Sequence, residues 1–223
     1  LNGILDFIIG RLFTLPAIVV GLSFHEWAHA FAAYKMGDPT AKNLGRLTIN
    51  PLAHIDPIGF LMMFIFGFGW AKPVPVNPNR FKKYRLGEIV VSLAGVTMNL
   101  IIAFVFALVI AAVYRFADVE FLLSTAGGKL ALVLDYFVLI NLCLLVFNLI
   151  PIYPLDGFHV AEVLLIKPLG PKPFLFIRKY GMYILIGIML LGRVGFSPVW
   201  TAAEFIAQGL LRFACMLFGV RYA

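Results

Sequence analysis

Residues 4–34 read ILDFIIGRLFTLPAIVVGLSFHEWAHAFAAY, and the rest of the chain has to be fitted around that run. It is long enough to cross a hydrocarbon core, which takes about 20 apolar residues. Polar side chains break it at Arg11, Ser23, His25, Glu26 and His29. Pro16 stands where it would kink a helix. Lys35 and Gly37-Asp38-Pro39 then stop it, as a cation, a glycine and a proline usually do. The run leads straight into His25 and Glu26 with no small-residue cleavage site, so it does not read as a signal peptide.

Working outward, the whole chain has the same character. Of its 223 residues, 62% are hydrophobic and 13% charged, and the mean hydropathy is +0.97. Soluble domains are about 45–50% apolar. A core of this size cannot hide so much apolar surface, so the solvent is expected to be a bilayer. The net charge is +7, but the basic residues lie between apolar runs. That is the positive-inside pattern rather than the basic face of a nucleic-acid binder. Cys143 and Cys215 both sit inside apolar runs and read as small packing residues, not as a disulfide or a cysteine metal site.

The remaining segments give an all-α polytopic membrane protein with five to six transmembrane helices, in one domain spanning 1–223. The catalytic core is expected over about 4–166 and C-terminal helices over about 175–220. Arg46-Leu47-Thr48-Ile49-Asn50 alternates and reads as a short strand between the first two helices. Residues 57–70 are apolar but short for a span, and fit a re-entrant or interfacial segment. Residues 71–85 form a basic, proline-rich loop. Residues 87–114 and 129–150 are clear spans, separated by an acidic loop at Asp118 and Glu120. Pro151 to Gly157 breaks the second span, and an apolar run continues to Ile166. Lys167 to Lys179 reads as a second basic loop, and 180–191 and 199–218 are the last apolar segments. By charge, the Lys35–Arg85 and Lys167–Lys179 loops should be cytosolic and Asp118–Glu120 should face out.

His25-Glu26-Trp27-Ala28-His29 is H-E-x-x-H. On a helix, residues i and i+4 share a face, so both imidazoles can reach one metal ion. Glu26 can hold a water on that ion and take its proton as general base once zinc has lowered the water's pKa. The pattern alone is modest in specificity. Its place near the end of a long apolar helix sharpens it, because ionisable groups there are costly and functional by default. From His29 to Lys35 is roughly 9 Å of helix, which puts the site below the cytosolic surface but not at mid-membrane.

A tetrahedral catalytic zinc needs a third protein ligand. The remaining candidates are His54, Asp156, His159 and Glu162. Asp156 stands out because it follows Pro151 and Pro154 where a transmembrane helix breaks, with Gly157 permitting a tight turn. Irregular backbone at membrane depth is tolerated where it lines a cavity. The competing use of Asp156 is as N-cap of the helix that follows. His159, three residues on, could share its face.

The H-E-x-x-H at 25–29 and Asn148-Leu149-Ile150-Pro151-Ile152-Tyr153-Pro154-Leu155-Asp156-Gly157, in that order on one membrane chain, resemble the site-2 protease family of intramembrane metalloproteases. Residues 41–79, with Gly45-Arg46-Leu47-Thr48-Ile49-Asn50-Pro51 and Gly69-Trp70-Ala71-Lys72-Pro73-Val74-Pro75, are similar to its small bacterial and archaeal branch that lacks a PDZ domain. The resemblance covers most of residues 20–165. It implies one zinc per chain, held by His25, His29 and Asp156, with Glu26 as catalytic base. It implies Asn148 near the metal as a donor to the developing oxyanion, the alternative being an interhelical hydrogen bond. His54 would support substrate or transition state, or bond a loop carbonyl. Gly95-Val96-Thr97-Met98-Asn99 looks like the family's G-P-x-x-N element with Val96 in place of proline, and reads as a helix-packing element.

The activity so implied is hydrolysis of peptide bonds in or near transmembrane segments. The partners would be a membrane-protein substrate and lipid, without nucleic acid, in a prokaryotic cell membrane with the site toward the cytosol. The oligomeric state is not legible. A substrate helix must unwind before attack, and the Arg46–Asn50 edge could pair with it by strand addition. The competing classes are a divalent-metal transporter and a non-catalytic scaffold. Ligands gathered near one face argue against the first, and an intact Glu26 argues against the second.

Overall fold

The computed structural model describes residues 2–66, 69–193 and 197–220, with side-chain burial defined over 8–65, 69–191 and 197–220. In chain order the helices are α1 (Asn2–Met36), α2 (Thr40–Asn43), α3 (Pro51–His54), α4 (Pro57–Phe66), α5 (Tyr84–Phe116), α6 (Val119–Leu123), α7 (Thr125–Asn148), α8 (Asp156–Leu169), α9 (Lys172–Arg193) and α10 (Pro198–Leu217). A 3-10 turn covers Pro78–Arg80. The fold is all-α. Among the described residues, four helices are long and apolar enough to cross a membrane: Ile8–Met36, Tyr84–Phe116, Thr125–Asn148 and Lys172–Leu191.

α1 runs through Pro16 and stops at Met36, where Gly37 takes φ 110°. That φ suits glycine, so the helix end is written into the sequence. α1, α5 and α7 pack together. Ala17, Ile102 and Phe137 are buried between them, and the rings of Phe106 and Phe137 stack with centroids 3.9 Å apart. α10 closes the far side of α5 and α7 with a stripe of Ala203, Ala207, Leu211 and Ala214 laid against Ala103, Ala107, Leu134 and Val138. Small residues let helix backbones approach where lipid offers no hydrophobic drive to associate.

The segment between α1 and α5 departs from the expected strand. Residues 46–50 carry no strand, and among the described residues there is none. Alternation needs a partner to become a ladder, and here none lies alongside. Instead Asn50 caps α3, its side chain accepting from Leu52 N–H at 3.1 Å. A lone antiparallel bridge joins Ile55 and Ala71. α4 has ten residues, about 15 Å of helix, half of a hydrocarbon core. The chain is back beside its start by Gly69 and Trp70, where a Cβ on Gly59 would stand 2.2 Å from the Trp70 carbonyl. Gly59 and Trp70 thus lie against each other.

Lys167 to Lys179 is not a loop. α8 continues to Leu169 and α9 begins at Lys172. Pro173 sits in the first turn of α9, where its missing N–H costs nothing. Gly170, at φ 72°, makes the break between them. Arg178 on α9 pairs with Glu162 on α8 at 2.7 Å, and the Arg85 guanidinium on α5 donates to the Val163 carbonyl of α8.

Candidate metal centre

Three elements meet at the site. The C-terminal half of α1 carries His25, Glu26 and His29, all buried. The first turn of α8 carries Asp156, and α5 forms the wall behind the histidines. The helical i, i+4 spacing brings His25 Nε2 to 2.9 Å from His29 Nε2. Asp156 Oδ2 lies 3.3 Å from each of them. Metal–ligand bonds of about 2.0–2.1 Å give a tetrahedron with edges of about 3.3 Å. The three atoms thus outline one face of a zinc tetrahedron.

Their lone pairs also converge. His29 Nδ1 is 2.7 Å from the Val91 carbonyl, which can only accept, so Nδ1 carries a proton and the neutral ring keeps its lone pair on Nε2. His25 Nδ1 is 2.7 Å from the Asn99 amide oxygen, with the same consequence. Asp156 Oδ2 is buried and has no hydrogen-bond partner. With both rings neutral, three acceptors face one another with no donor among them, an arrangement that a cation satisfies. The residues fit zinc.

Asp156 is not an N-cap. It is the first residue of α8, whose N-cap is Leu155, and no side chain caps the helix there. Gly157 serves close approach rather than a left-handed turn. A Cβ on it would stand 2.2 Å from the Leu149 carbonyl and 2.7 Å from that of Ile150. The broken segment 149–155 is folded tightly onto the start of α8, and this aims Asp156 at the histidines.

Gly95 and Asn99 do more than the packing expected of them. A Cβ on Gly95 would stand 2.5 Å from both His25 Cε1 and His29 Nε2. Only a bare glycine lets α5 lie against the imidazoles. Asn99, one turn on, accepts from His25. The G-x-x-x-N spacing at 95–99 was the available signal, since residues four apart share a helix face.

Glu26 is held by the 69–75 stretch, which the resemblance marked without giving it a role. Its Oε2 accepts the backbone N–H of Val74 at 2.8 Å, a buried contact. Val74 stands between Pro73 and Pro75, so its N–H is the only one in that tripeptide. The segment carrying it is tied down on both sides. Lys72 N–H donates to the His54 carbonyl at 2.8 Å, and Arg46 donates to the Lys72 carbonyl at 2.8 Å. Asn77 N–H donates to Asp38 Oδ2 at 2.6 Å. Val74 itself packs with Ala30 and Ala41.

The other expected residues lie outside the donor set. His54 is fully buried, its Nε2 2.7 Å from the Thr48 carbonyl and its Nδ1 without a partner. Asn148 ends α7 and gives one amide proton to the Leu144 carbonyl at 2.9 Å, which leaves a second proton to offer. His159 Nδ1 is 3.8 Å from Glu88 Oε2, and Glu162 is engaged by Arg178.

Comparison with known proteins agrees with this geometry. The profile of peptidase family M50 matches residues 13–192. YwhC of Bacillus subtilis, which carries the name of a zinc metalloprotease, is 39% identical over 203 residues, covering 83% of this chain and 89% of YwhC. Rip2 of Mycobacterium tuberculosis, named in the same way, is 32% identical over 148 residues, 65% of this chain and 54% of Rip2. Rip2 of Mycolicibacterium smegmatis is 27% identical over 195 residues, 84% of this chain and 71% of its own. No solved structure matches the chain.

Proposed function

Since the chain belongs to peptidase family M50 and is a site-2 type zinc metalloprotease of the membrane, we propose how its own residues carry the reaction and on what they act. His25, His29 and Asp156 hold one zinc ion, and Glu26 moves the proton. The observation that carries this assignment is the triangle of three bare, buried acceptor atoms with Glu26 adjoining it on the same helix. Zinc, when bound, polarises a scissile carbonyl and lowers the pKa of a water.

Glu26 takes the proton of the attacking water and returns it to the leaving amine. Val74 N–H fixes Oε2, so Oε1 is the oxygen free to work. Asn148 offers its second amide proton to the developing oxyanion. His54 acts at one remove: its carbonyl anchors Lys72, two residues from the Val74 contact. A divalent-metal transporter or a silent scaffold is not favoured.

The substrate is a transmembrane segment of another membrane protein. Its scissile bond has to unwind, because a helix keeps its carbonyls in intrachain bonds. The basic segments at the end of α1, the start of α5 and the end of α8 support a cytosolic orientation for the site, in a prokaryotic cell membrane. α10, at twenty residues, is long enough to make a fifth crossing.

Glu26→Gln tests the assignment. The variant should bind zinc as the wild type does and lose cleavage. Membrane-protein fragments should then accumulate in wild-type cells and be absent from Glu26→Gln cells. A Glu26→Gln protein that still cleaves would end the assignment of Glu26.

A further inference from the structure

We propose that Asn99 and Asn141 form a polarised amide relay that sets the tautomer and ring orientation of His25 as a zinc ligand. The proposal rests on the reading of His25 as a ligand. It adds two positioning residues, on α5 and α7, neither of which touches the metal.

Both asparagines are fully buried, deep among the helices. The hydrogen bonds run in one line. Asn141 Nδ2 donates to the Phe137 carbonyl at 2.8 Å. Asn141 Oδ1 accepts from Asn99 Nδ2 at 2.9 Å. Asn99 Nδ2 also donates to the Gly21 carbonyl of α1 at 3.2 Å. Asn99 Oδ1 is then left for His25 Nδ1 at 2.7 Å.

An amide can be turned over, exchanging its oxygen and nitrogen. Here it cannot, because backbone carbonyls only accept. Phe137 O demands the nitrogen of Asn141, so Asn141 presents its oxygen to Asn99. Gly21 O and Asn141 Oδ1 together demand both protons of Asn99, so Asn99 presents its oxygen to His25. His25 must then carry its proton on Nδ1 and point a bare Nε2 at Asp156 and His29. Two carbonyls on α1 and α7 thus decide which imidazole nitrogen can bind metal. Ligating histidines commonly have such an outer partner, which fixes tautomer and orientation. Here the partner's own direction is fixed by the Gly21 carbonyl together with a second amide one helix further out. Gly21 leaves the room for this: a Cβ on it would stand 3.0 Å from Asn141 Oδ1.

The measurement is zinc affinity, by chelator competition on the full chain in detergent, with cleavage read separately. Asn99→Leu and Asn141→Leu should each weaken zinc binding by about 10-fold or more. The two together should be no worse than Asn99→Leu alone, because they break one line. The decisive variant is Asn99→Asp placed on Asn141→Leu. A carboxylate accepts from His25 with either oxygen and needs no polarising neighbour, so it should recover most of the lost affinity. A purely packing role for Asn141 predicts no such recovery. Wild-type affinity in Asn141→Leu, or absence of rescue by Asn99→Asp, overturns the relay. The rescue pair decides the matter even if Asn99→Leu fails to fold. His25→Ala serves as the control: if it kept wild-type affinity, the ligand assignment would fall first and the relay with it.

Discussion

Gly95 and His29 touch across the α1–α5 interface: a Cβ on Gly95 would stand 2.5 Å from His29 Nε2, the atom that faces the metal position. A methyl group there competes for the space of the ligand itself. Gly95→Ala should therefore push the imidazoles off their tetrahedral face. Overpacking of this kind costs about 1–3 kcal/mol where the surroundings can give, and backbone on α5 gives little. The variant should insert and remain helical, yet hold zinc at least ~10-fold more weakly. Metal analysis of the purified protein would settle it, and a fully loaded Gly95→Ala would show that α5 is not the wall of the site.

The strap at Lys72–Asn77 makes a second forecast. Val74→Pro removes the one N–H that holds Glu26 and leaves an extended backbone that proline tolerates, since Val74 already precedes Pro75. A hydrogen bond to a charged group contributes about 1.5–3 kcal/mol, so kcat should fall by roughly 10- to 100-fold. Zinc content should not change. Val74→Ala keeps the N–H and should stay near wild-type turnover. Equal losses in the two variants would mean that the side chain, not the amide, matters.

Asp38 anchors the same strap from below. Burial works against its charge. The N–H groups of Asn77 and Thr40, and the Thr40 hydroxyl, more than offset this and hold its carboxyl below the usual carboxylate range. A depressed folded pKa adds stability above the unfolded value, about 3.9, and that stability is lost as pH falls through the folded value. Asp38→Asn should thus lower Tm in detergent at pH 6, and the gap to wild type should close as the medium is acidified well below pH 4. A gap of the same size at both pH values would show that Asp38 acts through its shape rather than its charge.

How far the sequence could be read depended on whether a contact is local. His25, Glu26 and His29 lie within one helical turn, so spacing alone revealed their shared face. Asp156 was legible because Pro151, Pro154 and Gly157 announce a broken helix, although why glycine stands at 157 was not. Asn99 was legible only as a helix-packing residue and Asn141 not at all, for the opposite reason. Each is a single amide in an apolar helix, and its partner is on a different one. The expected strand at Arg46–Asn50 failed because alternation reports a face, not a partner. The hydrogen bond from Val74 to Glu26 needed the fold, since Pro73 and Pro75 show only that one N–H is spared, not where it goes.

The division of the metal site between α1 and α8 has a consequence for the birth of the molecule. His25 and His29 enter the membrane early in synthesis, and Asp156 arrives only after more than half of the chain has followed. Until α8 docks, the nascent protein has two imidazoles and no carboxylate to complete the triangle. A ribosome-bound or truncated chain that ends before α8 should therefore be hydrolytically inert, and competence should come only once Asp156 has joined the histidines.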